Sequence, residues 1–155
     1  LASADVETLV VGHVPAALAS KLARPGLRFL GEQTDLAPFL ADARLGLVAE
    51  EMGGGFKIKT LDYIFHGLPI AALTGSLTGL PSDVQQHTLQ ASSPQALARA
   101  VLGQIDGLDG LNHMQDAALA AARPAFDWAS RGTQLKQALG QVIVERGLRY
   151  MGGSR

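Results

Sequence analysis

GGGFKIKTLDYIFHGLPIAAL, residues 53–73, is the stretch on which the fold turns. Its three leading glycines let a backbone come close to a ligand. A helix is expected from about Phe56 to Phe65, with His66-Gly67 as its stop and Gly67 suited to the left-handed position past a helix end. Pro69 to Leu73 then reads as a short buried strand. The first amides of a helix have no partner within it and favour an anion. Lys57 and Lys59 put positive charge in that same turn, where acids are the usual choice, and a phosphate would account for the exception. Asp62 follows Lys59 by three residues and shares its helical face, where a carboxylate can accept hydrogen bonds from a ribose diol. The run does not end in Gly-Lys-Ser/Thr, so it is not a P-loop, and Ile58 stands where the dinucleotide fingerprint needs its third glycine. The competing reading is a flexible turn with solvated lysines.

Working outward, the same strand-then-helix grammar recurs. Thr8–Gly12, Leu27–Gly31 and Leu45–Ala49 read as strands, and His87–Ala91 as a short fifth one. Helices are expected from Pro15 to about Ala23, from Asp35 as cap through Ala43, and from Pro94 to Ile105. A Gly/Ser/Thr/Pro loop covers Thr74–Asp83 and a Gly/Asp linker Asp106–Gly110; two Ala-rich helices follow, about Leu111–Trp128 and Gln134–Arg146, before a frayed end at 152–155. Alternating short strands and helices indicate an α/β fold: one Rossmann-like parallel sheet with helices on both faces, as a single domain over residues 1–155. Such sheets bind ligands at the carboxyl ends of their strands, which directs attention to Gly12–Pro15, Gly31–Asp35, Glu50–Lys59 and Thr74–Pro81.

Composition narrows the function. The chain has 155 residues, 47% hydrophobic and 17% charged, and a net charge of −1, a balance that gives no field for nucleic acid. No cysteine is present, which permits a cytoplasmic site. No apolar run approaches the roughly 20 residues a membrane span needs, and no signal peptide is expected from the opening residues. The chain opens with Leu1, and a processed product or a piece of something longer is expected.

The order of these motifs resembles the C-terminal domain of GT-B glycosyltransferases, in particular the retaining group called group 1 or family 4. The counterparts are Gly53–Gly55, Lys57 and Lys59, Leu61-Asp62, Gly67-Leu68-Pro69 with Ile70–Leu73, and the loop from Gly75 to Gly79-Leu80. Val10-Val11-Gly12, Leu27–Gly31 with Asp35-Leu36, and Phe126-Asp127-Trp128 resemble flanking parts of such domains. The resemblance implies a nucleotide-sugar donor site and transfer of a sugar to an acceptor hydroxyl. In it, Asp62 holds the ribose; Gly54, Gly55 and the Phe56 amide approach the diphosphate; Lys59 or Lys57 neutralises it. The loop Gly31–Thr34, with Gly31 and Gln33 as its named site residues, borders the base, and Ser76, Thr78 and Gly79 lie near the phosphates or sugar. It implies no cofactor and no metal, the nucleotide diphosphate sugar being a substrate. A carbohydrate or lipid-linked acceptor would sit on an N-terminal domain outside this chain, so that this half alone is expected to be inactive.

Two positions depart from the family pattern. Asp62 stands where Glu is usual, and Gly54 where many members carry a second Glu that contacts the donor sugar; Glu50 or Glu51 is a candidate substitute. The loss at Gly54 supports an alternative, a non-catalytic Rossmann-like binding module; a GT-B-like nucleotide-sugar epimerase is a further one, and a nicotinamide dehydrogenase ranks last. Other residues have plainer readings. His13, His66, His87 and His113 are expected to be structural or surface residues, Phe126 and Trp128 core anchors, and Tyr63 and Phe65 packing groups. Arg146, Arg149 and Arg155 are compatible with peripheral association at the inner membrane face, although spread charges usually solvate a surface.

Overall fold

The computed structural model describes residues 6–50 and 55–151, with side chains through Val144. Among the described residues, five strands and seven helices follow one another: β1 (Thr8–Val11), α1 (Ala16–Leu22), β2 (Leu27–Gly31), α2 (Ala37–Ala41), β3 (Gly46–Val48), α3 (Lys59–Phe65), β4 (Ile70–Leu73), α4 (Ser82–Gln85), β5 (Leu89–Ala91), α5 (Pro94–Gln104), α6 (Leu108–Phe126) and α7 (Trp128–Met151). Every strand pairing is parallel: Val10 faces Phe29 across β1 and β2, Leu47 faces Ala71 across β3 and β4, and Ala72 faces Gln90 across β4 and β5. The architecture is the expected mixed α/β one. The hydrogen-bonded strands fall into two groups, β1-β2 and β3-β4-β5, rather than one continuous ladder.

β4 explains why the larger group is stable. All four of its residues are buried, as a parallel strand covered on both faces requires. Ile70 and Ala72 face a core with Val48, Ile64 and Val84, to which α6 adds Ala118 and Ala122. Ala71 and Leu73 face a second core with Leu97, Val101 and Ile105 of the α5 region. Each fully buried Val, Leu or Ile side chain among them is worth about 1.5–3 kcal/mol relative to its exposed state.

The helix ends follow local chemistry. Ser93 accepts a hydrogen bond from the Ala96 amide at 3.2 Å, and Pro94 opens α5. Past α3, the Leu68 amide reaches back to the Tyr63 carbonyl at 2.8 Å and the Gly67 amide to Ile64 at 3.1 Å, with Gly67 at φ +70°. This Schellman arrangement is the stop expected at Gly67.

Several boundaries differ from the sequence reading. α3 begins at Lys59 rather than Phe56, because the Thr60 amide bonds to the Lys57 carbonyl and the Leu61 amide to Ile58, both at 2.9 Å, in a tight i→i+3 turn. A turn of helix, α4, lies where only loop was expected, and α6 starts at Leu108 inside the supposed linker. The last break comes at Asp127, whose extended backbone and carboxylate (2.8 Å from the Ser130 amide) start α7 at once. Trp128 is therefore no core anchor: it is 89% exposed on the first turn of α7. Phe126, the last residue of α6, does pack on the core and tilts against Phe56 with ring centroids 5.8 Å apart. The exposed face of α7 also carries Leu135, Leu139 and Val142. Among the described residues no helix is long and apolar enough to cross a membrane.

Candidate functional site

The carboxyl ends of β1 and β2 and the start of α3 enclose a cavity of about 580 Å³, within the range of small-molecule sites. β1 contributes Leu9 and Val11, with Gly12 just beyond it; the segment after β2 contributes Glu32, Gln33, Thr34, Leu36, Phe39 and Leu40; α3 contributes Lys59, Asp62 and Tyr63. Leu9, Val11, Leu36, Phe39 and Leu40 on the β1–α2 side are apolar, the segment after β2 adds the Glu32 carboxylate, and α3 brings Lys59 and Asp62. One wall thus suits a flat apolar group, the other a polar, anionic one.

Local structure fixes this arrangement. At the Val11–Gly31 step the β1–β2 register shifts, and the Gly12 amide donates to the Gly31 carbonyl at 2.8 Å. Gly12 and Gly31 both have positive φ, +118° and +68°, so the two chains turn away from the sheet together at the cavity mouth. Gln33 is steadied by its own side chain, whose Nε2 donates to the Leu30 carbonyl at 2.7 Å. Asp35 accepts from the Ala37 amide at 2.9 Å and so holds the entry to α2. On the opposite wall, the ring of Tyr63 lies over Gly46 of β3. Burial first, then the neighbouring carboxylates of Asp62 and Glu50, raises the Tyr63 phenol above its ordinary pKa, so that it stays a hydroxyl at neutral pH.

Lys57 and Lys59 converge on one carboxylate. Glu50, just past β3, pairs its Oε2 with Lys57 Nζ at 2.8 Å and its Oε1 with Lys59 Nζ. Hydrogen bonds from Lys57 and then Lys59 lower the Glu50 carboxyl from 4.5 to about 2. The Glu50 main chain is anchored separately, its carbonyl accepting from the buried Ser76 hydroxyl at 2.8 Å. Thr60, itself 1% exposed, donates its hydroxyl to the Lys57 carbonyl at 2.6 Å and so fixes the lysine-bearing turn from beneath.

The residues singled out from sequence fall into two neighbouring sets. Gln33, Lys59 and Asp62 line the cavity, and Gly31 lies at its mouth where the Gly12 amide meets it. Phe56, Thr78 and Gly79 form an adjoining cluster outside the cavity lining. A β-carbon on Gly79 would come 3.1 Å from the Phe56 ring, and Thr78 donates to the Gly75 carbonyl at 2.8 Å. Gly55, with φ +90°, leads into Phe56, and Gly54 lies outside the described residues. Glu32 and Thr34, of the loop expected beside the base, also line the cavity, whereas the apolar wall from Leu9 to Leu40 was not singled out from sequence, although its place around strand ends is the signal that finds it. The convergence of both lysines on Glu50 has no such signal, since the Lys59 contact joins residues nine apart in sequence. His66 is structural, its ring Nδ1 donating to the Asp62 carbonyl at 2.8 Å. Among the described residues no three His, Asp or Glu side chains gather as metal ligands would.

Comparison with known proteins adds an independent line. The family described as "Glycosyl transferases group 1" matches residues 1–106, more than half of the chain. Among solved structures, the chain is similar to Anabaena Alr3699/HepE in complex with UDP, at 19% identity and a TM-score of 0.73, over 88% of this chain and 41% of that one. The same protein in complex with UDP and glucose, and with UDP-glucose, aligns at 18% identity and a TM-score of 0.70, again over 88% and 41%. The chain thus spans less than half the length of these solved structures. No curated protein sequence matches it at a significant level.

Proposed function

The chain belongs to the group 1 glycosyl transferases, and from that premise we propose that it forms the donor half of a transferase that moves a sugar from a nucleoside diphosphate to an acceptor hydroxyl. The observation that carries this reading is the meeting of Lys59 and Asp62 on one cavity wall, opposite the apolar and amide groups that follow β1 and β2. The base lies against the apolar wall with Gln33 at its edge; the ribose diol donates to Asp62; the diphosphate lies toward Lys59 and Lys57. UDP is the first donor nucleotide to test, because the similar solved structures hold UDP or UDP-glucose.

In the reaction, the acceptor oxygen bonds to the anomeric carbon as the bond from that carbon to the distal phosphate oxygen breaks. Negative charge grows on the leaving diphosphate, and fixed lysine charge facing it stabilises the transition state more than the ground state. The acceptor, a carbohydrate or lipid-linked hydroxyl, and the remaining groups of the reaction come from outside the residues described, at the cytoplasmic side of a membrane. The chain on its own is expected to bind donor nucleotide without turning it over.

Calorimetric titration with UDP, GDP and their glucose conjugates tests the proposal. Micromolar binding of one nucleotide is expected, weakened tenfold or more in Asp62→Ala and in Lys59→Ala, since each removes a charged hydrogen-bond partner worth about 1.5–3 kcal/mol. Binding that survives both substitutions unchanged would overturn the site assignment.

A further inference from the structure

Glu50 occupies the two cations that a diphosphate would need. Each of its oxygens takes one ammonium group, Oε2 on Lys57 and Oε1 on Lys59. We infer that Glu50 is a resident counter-ion, a built-in competitor that an anionic ligand displaces from Lys57 and Lys59 when it binds; the inference rests on the donor-site reading above.

Three features of the structure support an exchange rather than a permanent pair. The carboxylate lies at the protein surface, with 36% of the Glu50 side chain exposed, so water receives it when it leaves. Its main chain is held independently by the Ser76 hydroxyl, so the side chain can swing without unseating β3. The charges also argue for replacement. One carboxylate offers two oxygens and a single negative charge to two ammonium groups, whereas a diphosphate offers more oxygens and more negative charge to the same pair. A carboxylate that stayed beside the incoming phosphates would oppose them. The low pKa of Glu50, about 2, means that it stays ionised and competes throughout the physiological range.

The test is UDP titration of the chain and of Glu50→Gln, which keeps the shape of the side chain and removes its charge. Partly exposed ion pairs set the scale, so binding is expected to tighten about two- to fivefold. In the Lys57→Met/Lys59→Met background the same Glu50→Gln change is expected to give no gain, a non-additivity that a general effect on folding would not produce. Inorganic pyrophosphate as competitor should show the same order of affinities. If the unaltered chain binds UDP and Glu50→Gln binds it equally or more weakly, Glu50 orients the lysines instead, and the inference falls while the donor site stands. If neither protein binds UDP or pyrophosphate, both fall together. Thermal unfolding of each variant verifies that the comparison is made between folded proteins.

Discussion

The ring of Tyr63 lies so close over Gly46 that a β-carbon there would stand 2.3 Å from Tyr63 Cδ2. The contact ties β3 to α3, and so ties the floor of the sheet to the helix that carries Lys59 and Asp62. Gly46→Ala cannot be accommodated without moving the ring, and overpacking of this kind costs about 1–3 kcal/mol. Urea denaturation of Gly46→Ala should therefore show a lowered midpoint. Because the displaced ring lines the cavity, UDP affinity should drop as well; a change in stability alone would separate the strand from the site.

Thr60 gives a subtler probe. Its buried hydroxyl supports the Lys57 carbonyl at 2.6 Å, and that carbonyl also accepts the Thr60 amide. Thr60→Val keeps the volume and removes one hydrogen bond, so a loss of about 0.5–1.5 kcal/mol is expected by thermal or chemical unfolding. The donor affinity should fall with it, since the turn that places Lys57 loosens.

The Glu50 ion pairs make a pH-dependent contribution to stability. The carboxyl is lowered from 4.5 to about 2 in the folded chain, so its stabilisation is fully present above about pH 4.5 and disappears as pH falls through about 2. Screening of a carboxylate this exposed limits the effect to about 0.5–1 kcal/mol. Stability curves of the chain and of Glu50→Gln should differ by that amount at pH 7, and the difference should close on acidification. A gap that stayed undiminished from pH 7 to pH 2 would mean that the substitution acts through something other than charge.

Gly67 is held at φ +70° by the Schellman bonds that end α3. Nothing lies within 4 Å of an added β-carbon, so Gly67→Ala tests backbone conformation without steric conflict. A loss of about 1 kcal/mol is expected, the cost of an L side chain in the left-handed region. Differential scanning calorimetry measures it directly.

The fold was legible in the sequence because each of its signals is local. Val10, Phe29, Leu47 and Ala72 stand in strands where short apolar runs placed them, and Gly67 ends α3 because only the glycine after His66 suits that position. The cavity was half legible. Its polar members, Gln33, Lys59 and Asp62, sit at strand ends and on the motif helix, and the rule that parallel sheets bind at their carboxyl edge finds them. What escaped depends on side-chain direction. Lys57 and Lys59 read as open cations because nothing in their own segment opposes them, yet the opposing charge arrives from Glu50 at the end of the preceding strand. The start of α3 was misplaced because the Thr60 and Leu61 amides close i→i+3 bonds on the Lys57 and Ile58 carbonyls, in place of the i→i+4 bonds that a helix beginning at Phe56 would give them. Trp128 misled for a different reason. A large aromatic beside Phe126 looks like a second anchor, but one residue of extended backbone at Asp127 sends the two rings in different directions.

That reversal at Asp127 has a practical side. Trp128 is the sole indole of the sequence and stands almost wholly in water at the root of α7. Its emission should already be that of a solvated chromophore in the native chain, and melting the two cores should hardly change its colour. Whatever settles on the first turn of α7 would shift it to the blue, so the protein carries its own optical reporter for contacts made by its terminal helix.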